Sequence, residues 1–408
     1  MKTNLVSDFL NTPDGIEANR ILRSCVHCGF CNATCPTYQL LGDELDGPRG
    51  RIYLIKQTLE GKTPSRQTQL HLDRCLTCRN CESTCPSGVN YSHLLNIGRS
   101  VVNKKVTRSF TQKSLHFILR KTFLSPFAFS SIIKTGQLFR PLLPEKLKRA
   151  VPEKQKHIKL NTGSHTRKIL LVPGCVQSSL KPNIDTAAKV VFNELHIESI
   201  EISAAGCCGS LSHHLNAEDE AIQIIKKNID SWWPLIENKT IEAICMTASG
   251  CGVAIKEYQQ LLANDKAYAE KAKTVSALYK DPAEIVSTEL SNNQQSIKSL
   301  IKNKRNTAVA FHPPCTLQHG MKLNNLIEPI LSDCGFEVQS FNDKHLCCGS
   351  AGTYSITQKE LSQQLLSSKL GSINQTEHDL IVTANIGCQL HLQSGTATPV
   401  KHWLELFI

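Results

Sequence analysis

Four cysteines fall between Cys25 and Cys35 in "CVHCGFCNATCP", and "CLTCRNCESTCP" repeats their spacing from Cys75 to Cys85. Both stretches read C-x2-C-x2-C-x3-C-P. Two C-x2-C steps bring three sulfurs to one side of a tight backbone wrap, where they can cap three irons of a cube. The fourth cysteine then points away, and the proline behind it ends the local run and turns the chain. Zinc sites also use C-x2-C units, but as two pairs separated by a spacer of about fifteen residues. Four disulfides would need an oxidising compartment. The start, "MKTNLVSDFLNTPDG", has no apolar core of signal-peptide length, and Asp8 interrupts its one candidate stretch. The expected location is therefore the cytoplasm, where thiols stay reduced.

Two 4Fe-4S clusters are the expectation. In two-cluster ferredoxins the fourth cysteine of each motif ligates the other cluster. The expected sets are Cys25, Cys28 and Cys31 with Cys85, and Cys75, Cys78 and Cys81 with Cys35. Between the motifs, Arg49 and Arg51 stand where their charge could offset that of a cluster held by four thiolates. A solvated helix start accounts for them equally well.

The chain has eighteen cysteines, and the ten beyond the two motifs follow a second pattern. "KILLVPGC" and "TAVAFHPPC" are apolar strands running into Cys175 and Cys315. A C-C-G triplet follows 32 positions later in each copy, at Cys207 and Cys208 and at Cys347 and Cys348. A further strand then ends in Gly-Cys, at Cys251 and Cys388. This is an internal duplication of about 140 residues. Strands alternating with helices predict two α/β units with parallel sheets, whose ligands gather beyond the carboxyl ends of the strands. Each repeat can thus offer four sulfurs to one site, for a further iron-sulfur cluster or a thiol redox centre. Small buried structural cysteines are the plainer alternative. Cys245 and Cys334 lack a counterpart and are expected in the core. His213, His214, His312, His319, His345 and His391 lie near these loops and read better singly as structural than as ligands.

The fold class expected is α+β and multidomain. A helical two-cluster ferredoxin-like domain over 1–103 precedes a basic amphipathic linker or docking segment over 104–166. Two CCG repeats follow, over 167–300 and 301–408. The basic segment concentrates the charge: Lys104 to Lys159 holds fourteen Lys or Arg against Glu145 and Glu153, so a chain of net charge +11 is close to neutral elsewhere. Its mixture of basic and apolar residues suits an anionic membrane surface, an acidic partner, or packing on neighbouring domains. No nucleic-acid-binding motif accompanies it, and no apolar run is long enough to span a membrane.

Paired C-x2-C-x2-C-x3-C-P motifs followed by two CCG repeats resemble the iron-sulfur subunits of the CCG-domain family. That family includes subunits of heterodisulfide reductase and anaerobic glycerol-3-phosphate dehydrogenase. "ILRSCVHCGFCNATCPTYQLLGDELDGPRGRIYLIKQ", "NIDSWWP", "TASGCG", "CCGSAGTY" and "VTANIGCQLHL" are closely similar to its bacterial glycolate oxidase branch. The resemblance covers nearly the whole chain and is weakest from Lys104 to Lys159. It implies an electron-transfer subunit beside flavin-binding, FAD-carrying subunits that oxidise glycolate to glyoxylate, with D-lactate a second substrate and a quinone or other carrier as acceptor. It also implies a place in the cytoplasm or peripherally on the inner face of the membrane. A thiol-disulfide reductase working through the CCG cysteines, or a subunit of another 2-hydroxy-acid or glycerol-3-phosphate dehydrogenase, is the alternative. One departure stands out: the wider family closes its repeat with C-x2-C, whereas this chain offers Cys251 or Cys388 alone. The chain carries no G-x-G-x-x-G fingerprint and no other hydride acceptor of its own, so it is expected to need partners to begin the reaction.

Overall fold

The computed structural model describes residues 1–144, 148, 151–156, 158, 160, 163–202, 206–292, 297–300 and 307–408. Parts of the basic segment expected over 104–166 (145–147, 149–150, 157, 159 and 161–162) lie outside the described residues. So do 293–296 and 301–306, around the expected junction of the two repeats. The chain divides into two compact units. One comprises Met1–Phe117, Gln318–Gly320 and His345–Lys369; the other comprises Ile118–Leu317, Met321–Lys344 and Leu370–Ile408.

The first unit is helical. Helices Pro13–Ser24, Pro48–Leu59 and Tyr91–Lys105 carry apolar residues at helical spacing: Ala18, Ile21 and Leu22; Ile52, Ile55 and Leu59; Leu94, Leu95 and Val102. These stripes close into one core. Proline at the first helical position sets the start of Pro13–Ser24 and of Pro48–Leu59. Thr12 caps the former by accepting from the Gly15 amide at 3.0 Å. Gly98 lets the last helix lie directly on Pro48–Leu59, since a Cβ there would fall 2.6 Å from Ile55 Cγ1.

The second unit holds two parallel sheets, as the alternation of strands and helices predicts. In the first, β1 (Arg167–Leu171) lies between β2 (Ile197–Ile200) and β3 (Ala243–Cys245). In the second, β4 (Ala308–His312) lies between β5 (Glu337–Gln339) and β6 (Leu380–Thr383), and β7 (Val400–His402) extends the sheet beyond β6. The first repeat has a single bridge, Ile244 to Tyr279, where the second has β7. Ile169, Leu170 and Leu171 are buried in succession, as strands covered on both faces require. They share a core with Phe192, Trp232, Phe311 and Trp403. Cys245 is fully buried there, and Cys334 packs against the same core while half-buried.

The strand-end loops of the two repeats meet within this unit. Ser249 and Thr316 share a hydroxyl hydrogen bond at 2.7 Å, and the Gly250 amide reaches Asn385 Oδ1 at 3.4 Å. His402 Nε2 donates to the Thr247 carbonyl at 3.0 Å, while its Nδ1 accepts from the Leu404 amide at 3.3 Å. The carboxyl ends of both sheets therefore face common ground.

Candidate metal centres

Each cysteine motif begins where a helix stops. Cys25 follows Pro13–Ser24, and Cys75 follows helix Arg66–Asp73 after one residue, Arg74. The two wraps then adopt the same unusual backbone. His27 and Thr77 occupy left-handed conformations at φ 57° and 53°, and Gly29 and Arg79 do so at 86° and 61°. L-residues other than glycine avoid this region, β-branched threonine most of all. Its recurrence at matching positions marks a turn imposed by the need to gather sulfurs, and the Thr77 amide points back to Cys75 Sγ at 3.4 Å.

The wraps enclose two hollows. Cys25, Cys28, Cys31 and Cys85 line one, with Pro48, Ile52, Val89 and Tyr91. Cys35, Cys75 and Cys78 line the other, with Thr37, Arg51 and Leu76; Cys81 and Tyr91 border both. Each hollow therefore draws a cysteine from the opposite motif. Cys25, Cys35, Cys81 and, among the later cysteines, Cys207, Cys208, Cys245, Cys347, Cys348 and Cys388 are buried, whereas Cys28 is exposed.

The sulfurs are crowded enough to oppose one another's ionisation. Burial, followed by the proximity of Cys25 and Cys85, pushes the Cys31 thiol up to about 11. Burial and then Cys78 and Cys75 push Cys81 up as well. Such a group becomes a thiolate set only around a cationic core, which fits these residues to a bound iron-sulfur cluster.

The surroundings of the second hollow supply positive charge and donors. Arg51 is fully buried, with Nε donating to the His71 carbonyl at 2.7 Å, Nη1 to Thr37 Oγ1 at 3.2 Å, and Nη1 lying 3.9 Å from Cys35 Sγ. Burial works against its charge, but Cys75, Tyr91, Cys35 and Asp46 hold the guanidinium protonated. Asp46, also fully buried, is shared by Arg51 at 3.4 Å, His71 at 3.0 Å and Arg74 at 2.8 Å. The Tyr91 hydroxyl lies 3.6 Å from Cys75 Sγ. Arg49 differs: it pairs with Glu44 at 2.6 Å and is over a third exposed. The two arginines that sequence reasoning treated alike thus separate by burial.

Residues from late in the chain complete this unit. Asn80 Nδ2 donates to the carbonyls of Thr34 and His345, both at 3.1 Å, and the Tyr354 hydroxyl donates to the Arg74 carbonyl at 3.2 Å. His319 Nε2 donates to the His345 carbonyl at 2.9 Å, so its Nδ1 accepts from the Ser83 hydroxyl at 2.9 Å. Nothing in the sequence pattern announces these partners.

In the first CCG repeat all four cysteines come together. Cys175 stands beyond β1, Cys251 lies in helix Ser249–Lys256 beyond β3, and Cys207 and Cys208 lie in the loop before helix Ser210–His214. The neighbouring thiols of Cys175 and Cys208, with the nearby Gly209 and Leu211 amides, hold the Cys207 thiol well below its ordinary range. The proximity of the Cys207 and Cys251 sulfurs, together with burial, pushes the Cys208 thiol up. The triplet geometry explains its glycine. Gly209 at φ +86° turns its amide back to Cys207 Sγ at 3.4 Å, and Gly349 at φ +92° does the same to Cys347 at 3.5 Å. Asn228 Nδ2 braces the Cys207 carbonyl at 2.8 Å, and the Tyr258 hydroxyl braces that of Cys208 at 2.9 Å. Trp232 stacks on Tyr258, which accounts for part of "NIDSWWP". Of the cysteines of the second repeat, Cys347 and Cys348 fall in the first unit and Cys315 and Cys388 in the second. Asn385 Nδ2 lies 3.7 Å from Cys388 Sγ.

Comparison with known proteins agrees with this layout. Residues 21–89 match the family profile described as a 4Fe-4S dicluster domain, and 169–256 and 309–393 each match a cysteine-rich domain. The chain is 47% identical over 407 residues to the glycolate oxidase iron-sulfur subunit of Escherichia coli, covering 100% of this chain and 98% of that protein. It is 24% identical over 409 residues to a subunit of the dihydromethanophenazine:CoB–CoM heterodisulfide reductase of Methanosarcina acetivorans, covering 92% and 89%. Lactate utilization protein A of Bacillus licheniformis is 20% identical over 226 residues, covering 55% of this chain and 90% of its own.

Proposed function

The chain belongs to the family of glycolate oxidase iron-sulfur subunits, and from that premise we propose how its residues carry electrons within such an oxidase. Cys25, Cys28, Cys31 and Cys85 hold one 4Fe-4S cluster, and Cys75, Cys78, Cys81 and Cys35 hold the second. The observation that carries this assignment is that each hollow draws a cysteine from the opposite motif. A cluster of this type exchanges single electrons, which suits it to stand between a two-electron flavin and an acceptor.

The chain's own groups then have defined tasks. Arg51 and Tyr91 direct positive charge and a hydroxyl hydrogen toward the sulfurs of the second hollow, where little water competes, and Thr37, whose hydroxyl donates to the Asp46 carbonyl at 2.8 Å, accepts from Arg51 and so orients it. Partner subunits carrying FAD remove the hydride equivalent from glycolate, or from D-lactate, and a quinone or another carrier takes the electrons. The four sulfurs gathered in the first CCG repeat support a further iron-sulfur or thiol redox site at Cys175, Cys207, Cys208 and Cys251.

Iron and acid-labile sulfide on the anaerobically purified full chain test the assignment. Each should reach at least about eight per chain, two cubes of four irons. The variant with Cys207→Ser and Cys208→Ser should lose only iron in excess of eight. A chain filled with zinc, or one that oxidises glycolate without flavin subunits, would overturn the reading.

A further inference from the structure

The two cysteine wraps share a backbone but differ in their surroundings. Matched position by position, Val26 is 67% exposed where Leu76 is 4%, and Phe30 is 61% exposed where Asn80 is 3%. Cys28 is exposed, whereas Cys78 is half-buried. Late residues of the same unit cover the second copy: Asn80 donates to the His345 carbonyl, and the Tyr354 hydroxyl donates to that of Arg74. The first hollow therefore opens to the outside at Cys28, between two exposed apolar side chains.

Helix Pro48–Leu59 extends this face. Arg49 and Ile52 line the same hollow, and a Cβ on Gly29 would fall 2.8 Å from Arg49 Nη1. Burial, then Arg49, the amino terminus and Lys56, hold the His27 pKa down, which sets the wrap beside Arg49 and Lys56 alike. Tyr53 stands between those two on the same side of the helix and is 46% exposed.

Two features select the occupant. A cluster hollow that reaches the surface suits exchange with a redox group brought against it, because electron transfer slows steeply with distance. The face is also apolar, and its charges are already matched: Arg49 pairs with Glu44 and Lys56 with Glu60, each at 2.6 Å. A carrier that docks and leaves is steered by unmatched charge, whereas a subunit that stays covers aromatic and aliphatic side chains. We propose that the flavin-carrying subunit docks on the face formed by Val26, Phe30 and Tyr53 around Cys28, so that electrons enter the chain at the first cluster. This rests on the cluster assignment and the FAD-carrying partner given above. Flavin reduced by the substrate loses two electrons, which pass singly to this cluster, and two protons, which go to water.

Phe30 and Tyr53 line neither hollow, so they can be changed without touching the sulfurs. The full chain with Phe30→Glu and Tyr53→Glu should keep its iron and its EPR signals after dithionite. It should bind purified flavin subunits at least about tenfold more weakly and be reduced by glycolate through them correspondingly more slowly. If the glutamates cost iron, the milder pair Phe30→Ser and Tyr53→Ser should show the same loss in smaller measure. In the parent, amide hydrogen exchange over 26–30 should slow when the flavin subunits are added. A double variant that holds those subunits and accepts electrons like the parent overturns the proposal and leaves the clusters standing. So does one that is reduced normally but no longer passes electrons to a quinone, since that gives the face to the acceptor. A parent chain lacking two clusters removes the underlying reading and the proposal with it.

Discussion

Arg51 carries a positive charge into a place closed to water and spends it on one carboxylate and the neighbouring sulfurs. Asp46 would be costly there alone, and three cationic or hydrogen-bonding side chains converge on it. Replacing Arg51 by leucine should lower the unfolding free energy by about 3 kcal/mol, the scale of a buried pair broken from one side. Denaturation under anaerobic conditions reads this loss. Arg51→Lys keeps the charge without the planar fork and should recover part of it. Both variants should be titrated by EPR. With leucine, reduction near Cys35 becomes harder and one midpoint potential falls, whereas with lysine it stays near the parent value. The same change at Arg49 should do little, because its exposed pair with Glu44 is weakly held. Sequence reasoning reached these two arginines but could not rank them, because burial depends on His71 and Arg74 arriving from another helix and its end.

The C-C-G turns show how much one backbone angle governs an element. Both glycines occupy the left-handed region, but their surroundings differ. A Cβ on Gly349 would fall 2.7 Å from the Ser362 carbonyl, which is backbone, while one on Gly209 would meet a flexible Ile225 methylene at 3.1 Å. Gly349→Ala should therefore cost more than Gly209→Ala, which carries chiefly the conformational strain of about 1–3 kcal/mol. Thermal melting of the two variants gives the order, and equal losses would contradict the geometry. The cysteines, the strands leading to them and the doubling were legible in the sequence, because ligand spacing and apolar runs are local signals. Asn228 and Tyr258, which fix the Cys207 and Cys208 carbonyls, were not. They come from 21 and 50 residues downstream, and a polar contact leaves no periodic trace.

At the scale of the whole chain, His402 ties the last strand of the second repeat to the strand-end loop of the first. Burial holds its pKa down to about 4, and both ring nitrogens are engaged in the neutral form. The unfolded chain binds a proton near pH 6.5 and the folded chain does not, so this stability is present above pH 6.5 and is lost as pH falls toward 4. Melting temperature should drop between pH 7 and pH 5, and His402→Gln should flatten that part of the profile. The first unit has its own long-range closure, through Asn80 and His345, which lie 265 residues apart. On a ribosome adding about 5–20 residues per second, the cysteine loops emerge on the order of 10–50 s before that cover exists. The iron and sulfide must reach the growing chain within that interval, or the thiols must be shielded from oxygen until the late residues close over them.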